Sequence, residues 1–207
     1  MTTIVFALLI VLISYLIGSI SFAVVTSKLF KLPDPRTFGS KNPGATNVLR
    51  TGKKAAAALT LLGDAAKGWL AVFLALHFAP AFGLDAGLGD VTIAACVLAV
   101  FLGHAYPVVF GFHGGKGVAT ALGILLALNV WLGLALFATW LAATLIWRIS
   151  SLSALIAAIC APLYAWFLLP SKTVFAGVLV LSVLLIWRHQ SNIRNLLSGR
   201  ESAIGKT

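Results

Sequence analysis

Thirty consecutive residues, Val118 to Trp147, carry no charge, and the chain is built largely from such runs. About 20 apolar residues cross a bilayer as a helix, because a backbone in hydrocarbon must satisfy its hydrogen bonds within the segment. The composition agrees, with 60% hydrophobic and 10% charged residues. These values lie far from those of a soluble domain and predict an all-α, polytopic membrane bundle.

Short polar interruptions set the order of the spans. Thr3 to Thr26 reads as a retained first span, since it has no basic leader and no small-residue cleavage site. The stretch from Ser27 to Lys54 that follows holds Pro33, Pro35 and Pro43 and seven Lys or Arg residues, which places it on the cytoplasmic side. Ala55 to Ala79 then crosses outward and Val91 to Phe110 returns. The uncharged run should cross twice, breaking between Asn129 and Gly133 into two short helices. Ser151 to Leu169 goes out, and Thr173 to Trp187 returns to a basic tail with Arg188, Arg194, Arg200 and Lys206. The expectation is about seven transmembrane helices in a single domain, residues 1–207, with the N-terminus outside and the C-terminus cytoplasmic. A five-span variant with a re-entrant hairpin has the same parity.

The formal charge of +10 has to sit in the loops and tail. It suits anionic headgroups or small phosphorylated molecules, and in so apolar a chain it argues against nucleic acid as a partner. Cys96 and Cys160 lie inside apolar runs, so neither a disulfide framework nor a metal cluster is implied.

Four polar segments should share the cytoplasmic face. In GSKNPGATNVLR, Asn42 can cap a short helix with Pro43 as its first residue, leaving amides free for an anion beside the Ser40 hydroxyl. Asn47 and Arg50, three apart, share a helix face. In HGGKG, Gly114, Gly115 and Gly117 allow close backbone approach and Lys116 adds a charge ahead of a helix. The loop lacks the Walker A pattern, so no nucleotide chemistry follows. Ser150 and Ser151 form the third segment. In RHQSNIRNLLSGRE, His189 and Asn192 are also three apart, with Glu201 in the tail. Each segment taken alone could equally be a capped interfacial helix or a lipid-touching anchor. Asp64 and Lys67, inside the second span, read as a structural ion pair, and His77, His104 and His113 have no carboxylate at metal-ligand spacing.

Together the four segments closely resemble the acyl-phosphate-dependent glycerol-3-phosphate acyltransferases of bacterial membranes, the PlsY family. The matching pieces are GSKNPGATNVLRTGKKAAA running on to GDAAKG, GHAYPVVFGFHGGKGVATALG, SSLSAL, and RHQSNIRNLLSGRE. One departure is His113, where the family commonly has Lys.

The resemblance implies acyl transfer from acyl phosphate to the 1-hydroxyl of sn-glycerol 3-phosphate. The products are lysophosphatidic acid and phosphate, and no cofactor or metal is implied. It places family motif residues at Ser40, Asn42, Asn47, Arg50, Gly114, Gly115, Lys116, Gly117, Ser151, His189, Asn192 and Glu201. Arg50, Lys116, Ser40 and the Gly114–Gly117 amides would hold the leaving phosphate with help from Ser151, while His189 and Asn192 orient glycerol 3-phosphate. The implied setting is the bacterial inner membrane, with membrane lipid and an acyl-phosphate-forming enzyme as partners and the active site cytoplasmic. A transporter or channel for phosphorylated anions is the alternative from a different class. It predicts charged or broken helices at mid-membrane.

Overall fold

The computed structural model describes residues 2–204, so Met1 and residues 205–207, including the tail's Lys206, lie outside the described residues. The helices are α1 (Thr2–Gly18), α2 (Phe22–Leu29), α3 (Ala45–Leu49), α4 (Lys54–Phe78), α5 (Ala86–Ala105), α6 (Val118–Leu128), α7 (Val130–Trp147), α8 (Ser150–Leu168), α9 (Lys172–Arg188) and α10 (Gln190–Leu197). Large apolar side chains cover the outside of the bundle: Leu145 is 72% exposed and Phe167 84%. Such a surface is stable only against lipid.

Four helices, α4, α5 extended to Phe110, α7 and α8, are each long and apolar enough to cross a membrane. The bent pairs α1 with α2 and α9 with α10 would bring the number to six. The first span is therefore not one straight helix; it breaks at Ser19–Ser21 and turns by 41°. Lys67 Nζ donates to the freed Ile20 carbonyl at 2.6 Å, which offsets part of the break.

The uncharged run divides at Asn129 as expected, but unevenly. At about 1.5 Å per residue, α6 with its 11 residues reaches only about 16 Å, against a hydrocarbon core of about 30 Å. With 18 residues, α7 is of spanning length rather than short. The reason is the cap: Asn129 Oδ1 accepts from the amides of Trp131 and Leu132, and its Nδ2 donates to the Leu168 carbonyl at 3.2 Å. That side chain starts α7 and ties the turn to the end of α8.

Small residues let the helices approach closely, the usual device where no hydrophobic effect drives helix association in lipid. A Cβ at Gly123 of α6 would overlap the Ala65 carbonyl oxygen of α4, and one at Gly68 would overlap the Thr120 carbonyl oxygen. On the other side Gly18 meets Val100 and Gly103 meets Tyr15, which joins α1 to α5. A stripe of Ala154, Ala157, Ala158, Ala161 and Ala165 is buried along α8. Phe101, Ile124, Leu125, Leu132 and Leu181 fill the interior between these contacts. The tight crossings fix the depth at which α6 begins, and hence where the loop before it sits.

Gly123→Val should overpack the α4–α6 crossing, at a cost of about 1–3 kcal/mol. The thermal unfolding midpoint in detergent should fall, whereas Leu145→Ala on the lipid face should leave it nearly unchanged. Equal midpoints for the two variants would refute the close crossing.

Candidate active site

The four polar segments meet at one end of the bundle, around a cavity of about 370 Å³. Its polar lining includes Ser40, Asn42, Asn47, Arg50, Lys116, Gly117, Ser151, His189, Asn192 and Glu201. Leu61, Leu122, Leu136, Phe137 and Trp140 form its apolar wall.

The first segment is organised from beneath by Asn47. Buried at 2% exposure, it accepts the Ser40 amide at 3.1 Å through Oδ1 and donates through Nδ2 to the carbonyls of Pro35 and Phe38. Both of its amide hydrogens are spent on the loop, so Asn47 fastens the turn that carries Ser40 and has no donor left for a phosphate. Gly39, with φ +55°, lies where a Cβ would overlap Asn47 Oδ1. The short helix starts later than the sequence suggests. Gly44 is its N-cap, and the Asn42 carbonyl accepts from the Gly44 amide at 2.9 Å, so Asn42 and Pro43 precede the helix. Arg50, at the C-cap of α3, is exposed in the cavity and forms no ion pair among the described residues.

In the second segment the glycines serve packing more than ligand approach. Neither Gly114 nor Gly115 lines the cavity. The Gly115 amide donates to the His104 carbonyl at 3.2 Å, and Cβ atoms at the two positions would overlap the His104 carbonyl and ring. The loop amides that reach the cavity belong to the start of α6: Gly117, Val118 and Ala119 line it, where first-turn amides have no partner within the helix and can receive an anion. Gly117 itself needs to be glycine, because its φ is +82° and a Cβ would overlap the Phe101 ring. His113 lies outside the cavity, with Nδ1 2.6 Å from the Gly111 carbonyl.

One hydrogen-bonded chain links the remaining segments. Lys116 Nζ donates to Asn192 Oδ1, Asn192 Nδ2 donates to Glu201 Oε1 at 2.6 Å, and Ser151 Oγ donates to the same oxygen at 2.7 Å. Glu201 thus draws the C-terminal tail over the site, and the Ile204 amide completes the strap by donating to the Arg148 carbonyl at 2.7 Å. Burial holds the Lys116 ammonium below the usual lysine range; the Glu201 carboxylate opposes this, and Arg188 and Arg50 add to it.

His189 is buried at the corner where α9 and α10 meet at 58°. Its Nδ1 lies 2.8 Å from the Leu185 carbonyl. A carbonyl can only accept, so Nδ1 carries the proton and Nε2 is left with a lone pair. Burial pushes the imidazole down to about 4, with the Lys116 and Arg188 charges working the same way, so the ring is neutral at physiological pH. The cavity-lining side chain can therefore accept a hydrogen bond at Nε2.

Sequence reasoning passed over the cavity floor. Asp64 and His104 both line it, with His104 Nδ1 3.1 Å from Thr120 Oγ1 and 3.6 Å from Asp64 Oδ1. The Asp64–Lys67 pair forms as expected, at 2.8 Å and almost fully buried. An acid inside a span was the available signal. The tail residues Ser202 to Ile204 were also missed, and nothing in their composition marks them.

The chain matches the glycerol-3-phosphate acyltransferase family over residues 8–199. It is 58% identical over 194 residues to a glycerol-3-phosphate acyltransferase of Nitrosomonas eutropha, covering 94% of this chain and 95% of that one. With one from Thiobacillus denitrificans it shares 59% over 199 residues, covering 96% and 98%. Among solved structures, it superposes on the glycerol 3-phosphate form of PlsY (YgiH), an integral membrane glycerol 3-phosphate acyltransferase. The TM-score there is 0.87 at 40% identity, with 96% of each chain covered. The lysophosphatidic acid form of that protein gives a TM-score of 0.86 at 39% identity, covering 96% of this chain and 95% of the other.

If the Lys116 ammonium is the working form, Glu201→Gln should move the alkaline limb of kcat/KM to lower pH. Removing the carboxylate takes away the group that raises the lysine, so the proton is lost earlier on the way up. A pH–rate profile with an unmoved or higher alkaline limb would contradict this coupling.

Proposed function

Since the chain belongs to the glycerol-3-phosphate acyltransferase family and so acylates glycerol 3-phosphate in phospholipid synthesis, we propose that its donor is an acyl phosphate and its products are lysophosphatidic acid and inorganic phosphate. The observation that carries this reading is the two-sided cavity. One end offers Arg50, Lys116, Ser40 and the first amides of α6 to phosphate, and the other is an apolar wall from Leu61 to Trp140 suited to an acyl chain.

The chemistry asks little of the protein beyond placement, because an acyl phosphate is already activated. The 1-hydroxyl oxygen bonds to the carbonyl carbon, the carbon–oxygen bond to phosphate breaks, and the electron pair leaves with the phosphate. Arg50 and Ser40 hold the donor phosphate, and the α6 amides and Lys116 stabilise the negative charge as it develops there. Lys116 is also bonded to Asn192, so it stands between this half and the half formed by His189 and Asn192, where glycerol 3-phosphate is oriented. His189 Nε2 accepts the hydroxyl's hydrogen bond and aligns it. As a base, an imidazole near 4 is weaker than a phosphate with a second pKa of about 6, so the proton passes to the departing phosphate. Ser151 acts through Glu201, holding Asn192 in place.

The setting of this reading is the bacterial inner membrane, with the cavity opening to the cytoplasm. An enzyme that forms acyl phosphate is the partner that supplies the donor.

The decisive assay is turnover of labelled glycerol 3-phosphate by purified enzyme with acyl phosphate and with acyl-CoA in turn. Acyl phosphate should be used and acyl-CoA hardly at all, because a thioester leaves no phosphate for the cationic end to hold. Arg50→Ala should cut turnover by at least about 100-fold, near 2.7 kcal/mol of transition-state stabilisation, and Lys116→Ala should impair acyl-phosphate use severely. Robust acyl-CoA turnover that survives loss of Lys116 would reject the donor assignment.

Orientation is tested separately, in a background lacking Cys96 and Cys160. Single cysteines at Lys53, His113 and Gly199 should be protected from an impermeant thiol reagent in intact cells, while one at Gly87 is labelled. Labelling at His113 would place the cavity on the opposite face.

A further inference from the structure

We propose that Arg188 is a positioning residue that holds the glycine loop so that Lys116 reaches Asn192. The inference rests on the reading of Lys116 given above. The loop from Gly111 to Gly117 has four glycines and no regular secondary structure after its first turn, so its own side chains do little to hold it. What it offers is carbonyl oxygens. Arg188 Nη2 donates to the carbonyls of Gly114 and Gly115 at 3.2 and 3.1 Å, and Nε donates to the latter at 3.3 Å.

The guanidinium is itself held in place, with its central carbon 4.9 Å from the centre of the Tyr106 ring. Tyr106 is in turn fixed to α1, since the Tyr15 hydroxyl donates to its carbonyl at 2.8 Å. Arg188 also ends α9, one residue before His189 and four before Asn192. Beside the Gly115–His104 contact, one helix end therefore both holds the loop carrying Lys116 and presents the amide that Lys116 binds.

No carboxylate among the described residues pairs with Arg188, although it sits partly buried near a second cation. Such an arrangement gains little stability from charge. It makes sense as geometry: a planar fork can bond two carbonyls while lying flat on a ring, and a lysine ammonium, being a point charge, cannot do both.

Arg188→Lys preserves the charge and removes the fork. Turnover should fall roughly tenfold with the unfolding midpoint unchanged, and the variant should move the same kinetic parameter as Lys116→Ala, to a smaller extent. The two changes should not add: in a Lys116→Ala background, Arg188→Lys should cost nothing further. An independent readout is the rate at which an amine-reactive probe modifies Lys116, followed by peptide mass spectrometry; it should rise several-fold in Arg188→Lys. Wild-type turnover in Arg188→Lys, a fully additive double variant, or an unchanged labelling rate would each overturn the proposal. If Lys116→Ala proves fully active, the site reading fails while the labelling rate still decides the clamp. If Arg188→Lys unfolds early, Tyr106→Leu removes only the stacking face and should produce the same labelling change in weaker form; no change there would overturn the clamp.

Discussion

A backbone amide in hydrocarbon has no water to bond, so irregular chain is pushed to the ends of a membrane bundle. Everything distinctive about this protein follows from that constraint. The loops from Lys31 to Lys53, from Gly111 to Gly117 and around Arg148, together with the tail after Arg188, lie at the ends of the spans, and four of their segments line a single cavity. Where the backbone does break within the apolar layer, a side chain repairs it: Lys67 at the Ile20 carbonyl, Asn129 at the start of α7. Each repair uses a polar residue whose burial would otherwise be costly.

The helices reach the cavity at fixed heights because their crossings are made of glycine and alanine. Gly68 and Gly123 bring α4 and α6 into backbone contact, and this sets the start of α6 against the floor made by Asp64 and His104. A looser crossing would move Gly117 and the residues beside it away from the other polar groups that line the cavity. The precision of the site is thus set by packing in the membrane, and the polar residues inherit it.

Within the site, roles divide between groups that face the cavity and groups that hold those groups. Arg50, His189 and the Lys116 hydrogens not given to Asn192 face the cavity. Asn47 is spent on the Ser40 loop, Glu201 joins Ser151 to Asn192, and Gly114 and Gly115 pack against His104. Motif residues of one family therefore serve two different physical ends.

The sequence by itself determined the membrane bundle, the approximate positions of its spans and the four polar segments, because hydropathy and motif spacing are local properties. It also located the break near Asn129 and the Asp64–Lys67 pair, since both depend on neighbours along one helix. The tertiary structure decided what no local pattern encodes. Asn129 also reaches the Leu168 carbonyl and ties the α6–α7 turn to α8, and the bend at Ser19–Ser21 is met by a lysine 47 residues away. That Asn47 points inward, that the α6 amides rather than those of Gly114 and Gly115 face the cavity, and that the tail closes over it through Glu201 are all long-range contacts. The spacing of residues along a chain sets which face of a helix they share, but only packing sets what that face meets.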